Sequence, residues 1–440
     1  MKAPRLRGAA TTGVLVLALA ACGSSGDEAG ADSDIASVAA GGGAKCGLAN
    51  GKKAGGAPIK IGAIATMSGG IDFSSAPRTA KAYFDCVNAN GGVNGRPIQY
   101  SFEDDALDPQ KASALASKFA SDTSVVAMTG GASFIACAGN QPIFERAGLY
   151  DILGVGVPQP CYYSKNMSAL NAGPRLSLIS AAQTQVKDFG IKSFAGGGYP
   201  IPGLGDWVKD GAQQYAKVAG IQMSYFDLVP PPIKDATSLV TKLGSKRPDS
   251  VFLAFAASDN ATYLKAAEQQ AIGDKVHFSS LTPSYDTTFP GQIGPYWNGK
   301  FYSNSEFALL NSTGADNLNW RQVLKEYGSA DQPRDSFSQG GYLAARVLVE
   351  TLLTLDQAKI DRATVSAAIQ GIKGFKSDML CRPWYFSGPG GHNNANHQLR
   401  NVKLDADGKY VSAADCFETE DPALADIIAA EKADPTLLGS

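Results

Sequence analysis

The chain has 440 residues, with 39 Lys plus Arg against 41 Asp plus Glu and a formal net charge of −2. That near-balance leaves no basic footprint for nucleic acid. The length exceeds what one hydrophobic core ordinarily serves and predicts two domains behind the N-terminal segments.

The chain opens on Lys2, Arg5 and Arg7, followed by a short apolar run from Val14 to Ala21 that ends on Cys22. This is the layout of a secretory signal peptide over 1–21, and the run is too short to span a bilayer. Leu19 to Cys22 resembles the bacterial lipobox, in which lipid is attached to the cysteine and cleavage leaves it as the first residue. An ordinary signal peptide with an incidental cysteine is the alternative. Residues 22–56, rich in Gly, Ala, Ser and Asp, read as a lipidated flexible tether, except where Cys46 ties it down. No later apolar run approaches membrane-spanning length. Of the seven cysteines, removing Cys22 leaves an even set for an oxidising compartment: Cys46, Cys86, Cys137, Cys161, Cys381 and Cys416. Without a C-x-x-C pair, neither a zinc ribbon nor a thioredoxin-type site has support.

From Pro58 strands and helices alternate. Ile59 to Ala65 reads as a strand, and Ala80, Tyr83, Phe84 and Val87 fall on one helical face that Asn90-Gly91-Gly92 terminates. Ile98 to Phe102 is the next strand. Asp108-Pro109 starts a helix with Ala112, Leu115, Ala116 and Phe119 on its buried stripe. Val125 to Met128 is a third strand, after which Gly130 to Ser133 is expected to open a helix. The pattern restarts with strands at 193–197, 223–229 and 251–255 and helices at 206–219, 236–243 and 260–271. Such alternation calls for parallel sheets covered on both faces, with ligands at the carboxyl ends of the strands.

The segments IKIGAIATMSG (59–69), VNANGGVNGRPIQYSFEDDALDPQKA (87–112) and TGGAS (129–133), in this order, resemble ABC-importer solute-binding proteins of the branched-chain amino-acid type. The resemblance covers roughly 57–417 and implies an α/β, type I periplasmic-binding-protein fold. Two Rossmann-like lobes with parallel sheets would be joined by three hinge crossovers, near 171–175, 304–306 and 388–396. Residues 57–173 plus 305–392 would form lobe 1, and 174–304 plus 393–417 lobe 2, with 418–440 a C-terminal tail. The helix over 336–355 should pack back on lobe 1. The implied partners are a small-molecule solute, an ABC permease and the lipid anchor at the outer face of the cytoplasmic membrane, with the protein a monomer. The cysteines are expected to pair with their sequence neighbours, as Cys46–Cys86, Cys137–Cys161 and Cys381–Cys416.

Loops after lobe 1 strands offer Met67, Ser68, Gly131, Ala132, Ser133, Phe134, Gly156 and Val157 to the solute. Ser133 is the leading candidate to hold a carboxylate, or else it only caps a helix. Tyr199, Asp259 and Tyr285 stand on the lobe 2 wall as contacts or as packing residues. In the family implied, an acid after the strand at 276–280 holds the ligand's ammonium. Here that loop reads Leu281-Thr282-Pro283-Ser284-Tyr285-Asp286, so Asp259 or Asp286 would have to substitute, and a branched-chain amino acid is not the favoured ligand. An amide-bearing or aromatic solute fits the tyrosines and phenylalanines better. The rival classes are a sensor ectodomain of the same fold and an exported enzyme. No Gly-x-Ser-x-Gly elbow or His-Glu-x-x-His motif is present, and no catalytic residue, metal site or cofactor is assigned. His392 and His397 share an irregular loop, read as solvated rather than metal-binding.

Overall fold

The computed structural model describes Met1 and residues 43–439, so the signal peptide, Cys22 and most of the tether lie outside the described residues. Within them the chain forms two sheets, each with helices packed against it. The first contains β1 (Ile59–Ala65), β2 (Ile98–Asp104), β3 (Val125–Thr129), β4 (Ala132–Ser133), β5 (Asp151–Leu153), β6 (Val155–Gly156) and β7 (Met167–Ala169). All its pairings are parallel. β1 pairs β2 and, successively along its length, β3 and β4. Burial of β1 and β3 on both faces explains their almost wholly apolar sequences, with Lys60 of β1 the half-buried exception.

The second sheet runs β14-β13-β12-β11-β10-β8-β9, from β8 (Ser193–Gly198), β9 (Gln222–Leu228), β10 (Ser250–Ala254), β11 (His277–Ser280), β12 (Phe301–Ser305), β13 (Gln398–Leu404) and β14 (Tyr410–Glu418). Its last two strands join antiparallel. The expected α/β two-sheet architecture is therefore present, with an antiparallel edge that the alternation did not announce.

The helix Ser75–Ala89 buries Ala80, Tyr83, Phe84 and Val87, and the helix Pro109–Ser121 buries Ala112, Ala116 and Phe119. Asp108 caps the latter by accepting from the backbone N–H groups of Gln110 and Lys111. One local expectation is corrected. Gly130 to Ser133 does not open a helix: Gly130 takes φ +73°, Ala132–Ser133 adds a short strand beside β1, and the helix begins at Ala136. The helix Ser336–Leu353 packs against Ser75–Ala89, so closely that a Cβ on Gly341 would lie 2.0 Å from the Ala76 carbonyl oxygen.

Between the sheets the chain passes from β7 into the helix Pro174–Phe189, from β12 into Glu306, and from Asn396 into β13. These passages are bonded to one another. Glu306 Oε1 accepts from Gly173 N (2.6 Å), Asn171 Nδ2 (3.1 Å) and Ser177 Oγ (3.3 Å), while Asn396 Nδ2 donates to the Glu306 and Leu170 carbonyls. The three disulfides pair Cys46–Cys86, Cys137–Cys161 and Cys381–Cys416. The last ties the segment before the final crossing to β14.

The end of the tether beside Cys46 and the C-terminal tail are both bonded to the rest of the chain. Residues 44 and 45 of the tether bond to Glu326 and Asn319, beside the Cys46–Cys86 bridge. In the tail, the helix Ala425–Ala433 buries Ile427, and Asp421 forms a two-point ion pair with buried Arg175. His392 and His397 are likewise buried, the first bonded to Asp426 and the second to Glu418 and Glu431, rather than solvated. Those two carboxylates hold the His397 imidazolium above its usual pKa, against the burial that opposes charge.

Candidate functional site

The carboxyl ends of β1, β10 and β11 face one another across an open cleft of about 640 Å³. Met67, Ser68 and Phe73 line it from the loop after β1, Ala256 to Ser258 from the loop after β10, and Thr282 to Thr288, apart from Ser284, from the loop after β11. Residues 330–337, leading into the helix Ser336–Leu353, complete the wall. Thr282, Pro283, Phe73 and Phe337 also border a smaller inner cavity of about 50 Å³. That cavity is lined mostly by apolar side chains, among them Phe134, Val157, Phe255 and Leu281, with Asn171, Ser177 and Glu306 contributing polar groups. Phe73 stacks on Phe134 at 4.6 Å and meets Phe337 edge-on at 4.5 Å, and Phe134 reaches Tyr199 of the other lobe at 6.2 Å.

Of the residues singled out from sequence, Met67, Ser68 and Tyr285 border the cleft, and Phe134, Gly156 and Val157 border the inner cavity. Gly131, Ala132, Ser133, Tyr199 and Asp259 border neither. Ser133 is 4% exposed, and its hydroxyl donates to the Asp105 carboxylate while accepting from the N–H groups of Ile135 (3.1 Å) and Ala136 (2.9 Å). The intervening Phe134 N–H is taken by Thr66 Oγ1 at 3.2 Å. The donors of residues 134–136 are thus consumed internally, and Ser133 holds the turn that leads into the helix, whose N-cap position is Ile135. Across the cleft, Tyr199 donates its hydroxyl to Asp259 at 2.7 Å and accepts from Ala256 N at 2.9 Å. Asp259 also accepts from Ile233 N, so this buried pair props the loop after β10 from behind. Tyr285 lends its hydroxyl oxygen to Leu310 N at 2.9 Å. Met67 N and Ser68 Oγ both bond Asp104; despite partial burial, these bonds hold its carboxyl below the usual range.

Two carboxylates stand out in the cleft. The backbones of Asp286, from the loop after β11, and Asp335, the cap of the helix Ser336–Leu353, pair in an isolated antiparallel bridge, and both residues line the cleft. Burial pushes Asp335 up to about 7, with the nearby Asp286 carboxylate adding to the rise, and burial raises Asp286 as well. Asp335, Phe255 and Phe337 were missed as site residues. Asp335 carries a legible capping signal, an acid at the start of an apolar helix, but nothing local announces that it faces the opposite lobe.

The sequence matches the periplasmic binding protein family over residues 58–409. None of the curated proteins matches it. Among solved structures, it is similar to a fatty acid ABC transporter substrate-binding protein from Thermomonospora curvata, at 20% identity and TM-score 0.72, covering 87% of this chain and 97% of that one. A branched-chain amino acid ABC transporter protein from Thermus thermophilus with bound valine gives 16% identity and TM-score 0.72, covering 83% and 98%. A solute-binding protein of an ABC transporter from R. palustris, in complex with 4-hydroxybenzoate, gives 17% identity and TM-score 0.67, covering 84% and 99%. At these identities the likeness is one of fold.

Proposed function

Because the chain belongs to the periplasmic binding protein family, we propose that it captures a small organic solute in the cleft between its lobes and passes it, chemically unchanged, to an ABC permease. The observation that carries this reading is the cleft itself, with walls drawn from the strand ends of both sheets. We assign lobe 1 to residues 57–173 plus 305–392 and lobe 2 to 174–304 plus 393–417, with the bonded passages around Glu306 as the hinge. Met67, Ser68 and Tyr285 are the proposed contacts in the outer cleft, and Phe134, Gly156 and Val157 those of the inner cavity. Gly131, Ala132, Ser133, Tyr199 and Asp259 shape the walls from behind. Among the described residues no helix is long and apolar enough to cross a membrane. Export, with a lipid on Cys22 holding a monomer at the outer face of the cytoplasmic membrane, supplies the proximity to a permease that delivery needs.

The test is a thermal-shift screen of metabolites on the mature protein, followed by mass spectrometry of the recovered solute. A solute at a hundred times its Kd should stabilise by about 2.7 kcal/mol. Recovery of a converted product would overturn the binding-only reading, and the absence of any stabilising solute would overturn capture in the cleft.

A further inference from the structure

The three solved structures described above carry, in their names, a fatty acid, valine and 4-hydroxybenzoate. Each is a compound with a carboxylate, and a site for such a solute needs donors aimed at it. The turn at Ser133 has none to spare. Its hydroxyl hydrogen points at Asp105, and the N–H groups of residues 134, 135 and 136 are bonded to Thr66 and Ser133. Asp105 is fully buried, so the position beside Ser133 already holds a carboxylate of the protein's own. A second one brought there would meet like charge in a poorly solvated place.

The outer cleft has the opposite sign of vacancy. Its lining includes the carboxylates of Asp72, Asp286, Asp331 and Asp335, against one guanidinium, Arg334. Asp331 is paired with Arg78 at 2.8 Å. For Asp286 and Asp335, no ion pair occurs among the described residues; both take backbone N–H groups, Thr288 and Phe289 for Asp286 and Ser338 for Asp335. Their backbones already pair in an isolated antiparallel bridge, which puts the two side chains on one face of that bridge and two like charges in one place. That costs energy unless a cation sits between them or a proton is taken up. Directly beside them, Phe73 and Phe337 border both the cleft and the apolar inner cavity.

Building on solute capture as the function, we propose that the solute is an organic ammonium compound without a carboxylate, its cation held between Asp286 and Asp335 and its apolar end against Phe73 and Phe337 on the wall of the outer cleft. The cation links the two lobes through their acids, so charge pairing favours the closed form. The apolar end gains burial against the aromatic walls, where ring edges and faces already alternate. The acids on the cleft wall supply the discrimination, because Asp286 and Asp335 repel the carboxylate of a carboxylated analogue.

The test uses four compounds of one shape on the mature protein: phenethylamine, its zwitterionic relative phenylalanine, the anion hydrocinnamate and the neutral hydrocinnamamide. Phenethylamine is expected to give the largest thermal shift and hydrocinnamate the smallest, with the amine's affinity falling as salt rises. Asp286→Asn and Asp335→Asn should each weaken the amine by roughly tenfold to a hundredfold, the range for a hydrogen bond to a charged group. Asparagine keeps the cap at residue 335 and the turn acceptor at 286, so both variants should fold, which their own melting curves establish. If hydrocinnamate or phenylalanine binds more tightly than the amine, or if both variants bind the amine as well as wild type, the charge assignment is overturned while capture in the cleft stands. If none of the four binds, the assignment is overturned too. A metabolite screen then decides whether capture itself survives.

Discussion

Asp151 opens β5 opposite Met128 of β3, in the interior of a parallel sheet, and is 6% exposed. Its Oδ1 has no hydrogen-bond partner and no cation pairs with it among the described residues. Burial alone pushes its carboxyl up to about 7. An unfolded aspartate titrates near 3.9, so the gap to about 7 corresponds to about 4 kcal/mol, at roughly 1.36 kcal/mol for each tenfold change in proton affinity. The sign follows from proton uptake. Between about pH 4 and 7 the folded chain keeps a proton that the unfolded chain has released, so stability falls as pH rises through that window. Below about pH 4 both states are protonated and the group is neutral in its effect. Replacing Asp151 by Asn removes the charge and keeps the shape, while leaving a buried amide whose unpaired groups cost roughly 1–3 kcal/mol. The expected result is a variant more stable than wild type by roughly 1–3 kcal/mol near pH 8.5, and equal or less stable near pH 4.5. Each kcal/mol should move the melting temperature by roughly 1 °C in a chain of this size. Calorimetry of both proteins across the pH range reads the difference, which cancels other groups titrating in the same window, Asp335 among them. A variant-minus-wild-type difference that is the same at both ends of the range would refute the reasoning.

Gly341→Ala should destabilise by roughly 1–3 kcal/mol or more, since its Cβ would sit 2.0 Å from the Ala76 carbonyl and the two helices must part; an unchanged melting temperature would contradict the packing described. Breaking Cys381–Cys416 with a paired serine variant should cost about 4 kcal/mol in the chain-entropy model for its separation of 35 residues, seen as a lower denaturant midpoint. Non-reducing peptide mapping checks the pairing first, and a Cys381 peptide joined to any cysteine but Cys416 would count against it. Cys22→Ala should release the exported protein from membranes or leave it unprocessed; intact mass of the wild type, lacking an acyl group on its first residue, would sink the anchor.

The α/β class, the strand at Ile59–Ala65 and the capped helix at Asp108 were legible in the residues alone, whereas the pairing of neighbouring cysteines was an expectation that the fold bears out. Each rests on interactions close along the chain: apolar runs, an acid one residue before a helix, loops short enough to close. Met67 and Ser68 were legible for the same reason, since strand-end loops of a parallel sheet must face the ligand side. The rest depends on partners far apart in sequence. Ser133 looked like a donor for a solute until folding brought Asp105 against it across β1. Tyr199 and Asp259 each stood as a solute contact or a packing residue, and the fold spends them on one another, 60 residues apart. Asp335 is a helix cap by its local position, yet the fold pairs it with Asp286, 49 residues earlier in the chain. The tail became structure because Arg175, buried at the start of a helix, needs the carboxylate of Asp421. A side chain's type is local, but whether its charge or hydrogen is still available is set by what the fold places within about 3 Å of it.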